Sequence, residues 1–172
     1  TDQNVGAVFT GKFGQFNAIV VSESIQSLSP SAYALFNDFV SSGGCLIITG
    51  DHASGEDEFL DNVFGFSVGV TDSSDPSDTY SIQPGASGTP FAGGPALLIS
   101  EDLTTAYSNT PGSIIYNGPL GVAVFTTEFD LGVVTAIGWD YCCDSDEDPN
   151  AVLDWYNVVD RAFDLCNPDF VF

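Results

Sequence analysis

The chain contains no methionine, a single histidine (His52), and only two basic residues, Lys12 and Arg161, set against 24 aspartates and glutamates. Its formal net charge is −22. Binding to a phosphate backbone requires clustered lysine or arginine to displace counterions, so nucleic acid is excluded as a partner. An anionic membrane surface is disfavoured for the same reason. No apolar run approaches the ~20 residues that a membrane-spanning helix needs, so membrane insertion is not expected. With one imidazole in the chain, no site can use two of them. There is no internal repeat and no Asn-x-Ser/Thr glycosylation sequon.

What remains suffices for a folded core. A length of 172 residues fits one domain, and 44% hydrophobic residues with 14 phenylalanines argue against disorder. Self-repulsion at this charge favours a medium rich in salt or divalent cations. An extracellular or cell-surface location in a saline environment is therefore expected. The start at Thr1, with neither an initiator methionine nor a signal-peptide pattern, suggests a processed product or a segment of a longer protein. Four cysteines, at 45, 142, 143 and 166, permit disulfides outside the cytosol.

In chain order, Val5–Phe9 is a short candidate strand and Ala18–Val21 a compact β-branched run suited to a buried parallel strand. Ser29-Pro30 combines a helix cap with proline at the first helical position. Ala32, Leu35, Phe36, Phe39 and Val40 then share one helical face, and Gly43-Gly44 closes the helix. Cys45–Thr49 is the next strand. A second helix is expected over Glu56–Phe64, with Ser54 as its cap. Residues 66–100 read as a long loop excursion, carrying candidate strands near Tyr80–Ile82 and Ala96–Ile99. Ser113–Tyr116, Val122–Thr127 and Val133–Trp139, separated by short turns, form a meander. A last helix follows Asp148-Pro149, with Val152, Trp155, Tyr156, Val159 and Phe163 expected to face inward. Alternating strand and helix, then a meander, then a closing helix describe a three-layer α/β domain over 1–172.

Three segments carry a family resemblance: Phe16-Asn-Ala-Ile-Val-Val21, the Ser-Gly-Gly-x-Leu-Ile-Ile-Thr-Gly-Asp-His run ending at His52, and Val133-Val-Thr-Ala-Ile-Gly-Trp-Asp140. Together they resemble the flavodoxin-like fold of the class I glutamine amidotransferase-like superfamily, most closely its divergent, often secreted members. The resemblance implies a central parallel sheet with an antiparallel meander on one side. It also implies a Gly-x-Cys-x-Gly elbow after the strand ending at Thr49 and a His-x-Glu pair after the strand ending at Trp139. Neither motif is present, so Gly50, Asp51, His52, Glu56, Trp139 and Asp140 mark the place of a degenerate site. With the thiolate and its imidazole base both missing, acyl transfer by that route is not available. Family members also open with a further strand and helix, for which this chain has no room. The first βα unit is thus expected to be missing, leaving an edge open to pairing.

Three groups of residues remain as candidate sites. Asp51, His52 and Glu56 could hold a divalent metal, although helix capping and a hydrogen-bonded turn account for the same residues. Asp144, Asp146 and Asp148 alternate as in calcium loops, which makes Ca2+ the candidate cofactor, and the Asp72–Asp78 loop is a weaker candidate of the same kind. Trp139, Trp155, Tyr141 and Tyr156 suit either a sugar-binding surface or core packing, and packing is the commoner role.

If the strands ending at Thr49 and Trp139 are parallel, Cys45 sits at one edge of the sheet and Cys142 and Cys143 beyond the other. A strand of five or six residues spans roughly 17–20 Å, against a disulfide limit of about 7 Å between Cα atoms. The closing helix, roughly 22 Å long, brings Cys166 back towards Cys45, so a Cys45–Cys166 bond is expected. Cys142 and Cys143 are left as a vicinal disulfide, as free thiols, or bonded to another chain. The functional expectation is a non-catalytic extracellular domain for assembly or surface scaffolding, whose partner is another copy or a neighbouring domain. The alternatives are a calcium-dependent module for a glycan or other ligand and a metal-dependent hydrolase using Asp51, His52 and Glu56.

Overall fold

A computed structural model describes residues 16–21, 28–50, 55–73, 75, 77–100, 104–139 and 149–166. The described elements are β1 (Ala18–Val21), α1 (Pro30–Ser41), β2 (Cys45–Thr49), α2 (Glu56–Phe64), β3 (Gly69–Ser73), β4 (Thr79–Ile82), β5 (Leu97–Ile99), β6 (Thr104–Ser108), β7 (Ser113–Gly118), β8 (Gly121–Phe129), β9 (Gly132–Ile137) and α3 (Pro149–Leu165). Val5–Phe9 lies outside the described residues.

The main path of the sheet runs β1-β2-β9-β8-β7-β4-β5. β1, β2 and β9 pair in parallel, with Cys45 opposite Val133 and Thr49 opposite Ile137. From β9 through β8, β7 and β4 to β5 the pairing is antiparallel. The fold is thus of the expected α/β type, and among the described strands the parallel part (β1-β2-β9) lies at one side of the path and the antiparallel meander at the other. Among the described strands, β1 forms one edge of this path.

Strand alternation sorts the core into two layers. Leu46, Ile48, Val134 and Ala136 face α1 and α2, where they meet Phe36, Phe39, Phe59 and Leu60. Ile47 and Ile137 face α3, joining Tyr80, Leu98, Tyr116 and Trp155. Each large apolar side chain buried in this way stabilises the fold by roughly 1.5–3 kcal/mol. α1 starts as its sequence dictates: Ser29 Oγ accepts from the Ala32 amide, with Pro30 at the first helical position.

The structure departs from the sequence reading at four places. The 66–100 stretch carries the two strands expected there, as β4 and β5, and adds β3 and two short 3₁₀ turns (Pro84–Ala86 and Pro90–Gly93). β3 and β6 form an antiparallel ribbon that joins the sheet where Tyr107 pairs with Val122; β6 falls in a stretch for which the sequence suggested no element. α2 is preceded by Gly55 as its cap residue, at φ 102° and with no side-chain capping bond, in the place expected for Ser54. Ser54 itself lies outside the described residues.

The fourth departure concerns α3. Its buried stripe is Ala151, Trp155, Val158, Ala162 and Leu165, whereas Tyr156 and Phe163 are about half exposed. The small alanines at 151 and 162 let the helix lie close to the sheet on that face. Two bonds fix the rotation: Trp155 Nε1 donates to the Ile99 carbonyl at 2.9 Å, and Cys166 is joined to Cys45. Arg161, also on α3, donates to the carbonyls of Pro90 (2.6 Å) and Gly93 (2.5 Å), fastening the second 3₁₀ turn. The Cys45–Cys166 disulfide spans 5.4 Å between Cα atoms and ties the start of β2 to the end of the last helix.

Candidate functional site

In open α/β sheets, ligands bind in the crevice beyond the carboxyl ends of the strands, where the strand order changes direction. Here that place lies beyond β2 and β9. Gly50 continues β2, and its amide donates to the Ile137 carbonyl at 2.7 Å. Gly138 continues β9, donating to the Ala123 carbonyl and accepting from the Thr105 amide, each at 2.7 Å. The β3–β6 ribbon therefore sits directly on the end of β9.

Contact at this point is backbone to backbone. A Cβ on Gly50 would lie 2.9 Å from both the Gly138 carbonyl carbon and Thr105 Oγ1. A Cβ on Gly138 would overlap the Thr105 carbonyl oxygen. Only glycine permits this approach at both positions. Trp139, the next residue, is buried, stacking on Trp155 at 6.3 Å and meeting the edge of Tyr156 at 4.9 Å. Both tryptophans are thus core residues, which rules them out as an exposed sugar platform.

The ribbon adds Thr105 and Tyr107, which sequence reasoning missed, and sets Asp72 beside them in a polar cluster. Asp72 and Thr105 are directly opposed in register, and Thr105 Oγ1 donates to Asp72 Oδ1 at 3.3 Å. Tyr107 lies two residues further on, on the same face. Its ring packs edge-on against Phe125 at 5.4 Å. Its hydroxyl is fully buried and has no hydrogen-bond partner among the described residues. Burial, and then the negative charges of Glu56 and Asp72, push the Tyr107 phenol well above the ordinary tyrosine range. Glu56, in the first turn of α2, is 3% exposed, in keeping with the preference of carboxylates for helix N-termini. Gly50, Glu56, Asp72, Thr105 and Tyr107 therefore converge at one edge. The period-2 patterns Val70-x-Asp72 and Thr105-x-Tyr107 were the available signal. Both occur in strands too short and polar to stand out.

Of the residues expected to form the degenerate site, Gly50, Glu56 and Trp139 occupy this edge, while Asp51, His52 and Asp140 lie outside the described residues. So do Asp144, Asp146 and Asp148, and Cys142 and Cys143. Among the described residues no group of three or more His, Cys, Asp or Glu side chains is placed to hold a metal ion. In the acidic loop before β4, Asp75 accepts from the Ser77 amide (2.9 Å) and hydroxyl (2.6 Å), bonds that hold its carboxyl below the usual range. Two clefts lie elsewhere: one of about 310 Å³ lined by Thr126, Thr127, Glu128 and Val133, and one of about 380 Å³ between α1 and α2 lined by Tyr33, Asn37 and Val63.

Tyr116 behaves like Tyr107. Its hydroxyl donates to the Pro95 carbonyl at 2.8 Å, and burial pushes its pKa up to about 12, with Arg161 opposing and Asp154 reinforcing the shift. Because the folded pKa exceeds the unfolded value near 10, the stability linked to Tyr116 is complete below pH ~10 and is lost as pH rises through about 12. Phenolate absorbance is accordingly expected to show at least two of the six tyrosines titrating late, together with unfolding. Titration of all six near pH 10 in a folded chain would contradict the buried placement.

No protein-family model matches the chain, and no curated protein is similar to it in sequence. Solved structures do resemble its fold. A ThuA-like protein from Parabacteroides merdae superposes with a TM-score of 0.67 at 12% identity, covering 94% of this chain and 74% of that one. A cytoplasmic protein from Salmonella typhimurium LT2 gives 0.65 at 13% identity, with 94% and 74% coverage. A β-galactosidase from Bacillus circulans gives 0.61 at 10% identity, over 88% of this chain but 23% of that one. The fold is that of the class I glutamine amidotransferase-like proteins, to which ThuA-like proteins belong.

Proposed function

We propose that the chain is a divergent, secreted domain of amidotransferase-like fold that has lost catalysis and serves in assembly or surface scaffolding. One observation carries this reading: at the ends of β2 and β9, where catalytic relatives need an open elbow, Gly138 packs on the backbone of β6 and Gly50 on Gly138 and the Thr105 hydroxyl. The absent Gly-x-Cys-x-Gly and His-x-Glu motifs agree with it. Exposed apolar side chains on β1 (Val20), β5 (Leu97 and Ile99) and the outer side of α3 support a role in contact with other chains. Electron microscopy of the native material in saline is the test. Regular assemblies are expected, and dispersed single particles at every concentration would overturn the proposal.

A second reading has its own observation, the convergence of Glu56, Asp72 and Tyr107 beside Gly50. It would make the turn a metal-assisted hydrolytic site. A stoichiometric metal in the native protein, lost in both Glu56→Gln and His52→Ala, would favour it over scaffolding.

A further inference from the structure

The rotation of α3 leaves a stripe that the described structure touches only at Tyr156, one side of whose ring meets Trp139. Leu153 is 64% exposed, Tyr156 49% and Phe163 45%, and Asp160 is exposed between them. Their positions, 153, 156, 160 and 163, repeat with spacing three, four, three. This is the seam spacing by which one helix packs along another. The same helix buries a different stripe against the sheet, so the outer seam is not needed for the domain's own core.

The order of residues along the seam selects the occupant. Let a second α3 lie antiparallel on the first, with the two-fold axis level with Val158. Leu153 then faces Phe163 of the other copy, and Tyr156 faces Asp160. Each pair occurs twice, as an isologous contact requires. Apolar meets apolar at both ends. At the centre, each phenol can donate to a carboxylate, so no aspartate faces another aspartate across the seam. A parallel arrangement would instead set Asp160 against Asp160. Arg161, the only described cation, is engaged with the carbonyls of Pro90 and Gly93 and does not enter the seam. We infer that this face of α3 binds a second copy of the same chain as an antiparallel, two-fold helix pair.

The inference rests on the assembly reading and gives it a surface. Two helices of 17 residues, each about 25 Å long, bury less than the roughly 800 Å² per partner of a standard interface. The dimer is therefore at the weak, transient end of the range. Two chains of charge −22 repel, and at about 1 M salt the screening length falls to roughly 3 Å. Association through this seam therefore strengthens as salt rises.

The experiment is sedimentation of the full chain between 10 μM and 1 mM in low and high sodium chloride, with Leu153→Lys, Phe163→Asp and the double variant. All of these substitutions lie at exposed positions, and circular dichroism confirms folding. Wild type is expected to dimerise more tightly in high salt. Each single variant is expected to weaken association at least about tenfold, because it sets a charge against an apolar side chain at both ends of the seam. The double variant is expected to recover part of that loss, because the introduced lysine of each copy then faces the introduced aspartate of the other. A wild type that stays monomeric throughout overturns both this inference and the assembly reading. Wild-type association that the single variants leave unchanged overturns the α3 seam alone, and loss in the single variants without recovery in the double overturns the antiparallel register. Association that weakens with salt and requires an added basic protein would identify a different occupant and overturn the second copy.

Discussion

Replacing Cys45 and Cys166 with serine is expected to destabilise the domain by about 5 kcal/mol, the largest effect of any substitution short of a core collapse. The bond joins residues 121 positions apart. Closing a loop of ~100 residues removes enough unfolded-state entropy to be worth roughly 4.7 kcal/mol, and the value grows only slowly with length. At 2–4 °C per kcal/mol for a chain of this size, the melting temperature should fall by roughly 10–20 °C. The folded state loses little else, because α3 remains docked through Trp155, Val158, Ala162 and Leu165. Calorimetry of the double variant checks this. An unchanged melting temperature would mean that the two cysteines are not bonded in solution.

Gly138→Ala should be the most damaging single substitution at the sheet edge, costing more than about 3 kcal/mol. The added methyl would overlap the Thr105 carbonyl oxygen, which is backbone and cannot rotate away. Relief requires β6 to lift from the end of β9, breaking the bond from the Thr105 amide to Gly138 and exposing Tyr107. Gly50→Ala is milder, because its nearest contacts are at 2.9–3.0 Å and one of them is the Thr105 side chain. Gly65 provides a control: it has open space around it but φ 72°, so alanine there costs only about 1 kcal/mol of backbone strain. Urea unfolding should rank the three as 138, then 50, then 65. If Gly138→Ala is tolerated like Gly65→Ala, the ribbon does not seal the strand ends.

The central elements were legible because their signals are local and redundant. Ser29-Pro30 announces α1, the run from Cys45 to Thr49 is uniformly buried, and the turns at 119–120 and 130–131 punctuate the meander. Parallel pairing of β2 with β9 then made the Cys45–Cys166 distance a matter of geometry. The β3–β6 ribbon was illegible for the opposite reason. Gly69–Ser73 and Thr104–Ser108 are short and rich in polar residues, and each is specified by its partner more than by its own composition. Missing the ribbon meant missing Thr105 and Tyr107, two of the five residues that converge at the sheet edge, and the place of Asp72 beside them. The rotation of α3 was misread because Tyr156 and Phe163 look like core residues. Small Ala151 and Ala162, together with the bonds of Trp155 and Cys166, decided the face instead.

These two misreadings bear directly on the proposed function. The ribbon covers the strand ends where related folds keep their chemistry, and the rotated helix presents an apolar seam outward. On the proposed reading, a domain built in this way acts through contact with other chains. Sedimentation equilibrium of the wild-type chain at millimolar concentration and high salt tests that claim most directly. Reversible, salt-strengthened self-association is the predicted result, and a single species of 18.1 kDa under every condition would contradict it.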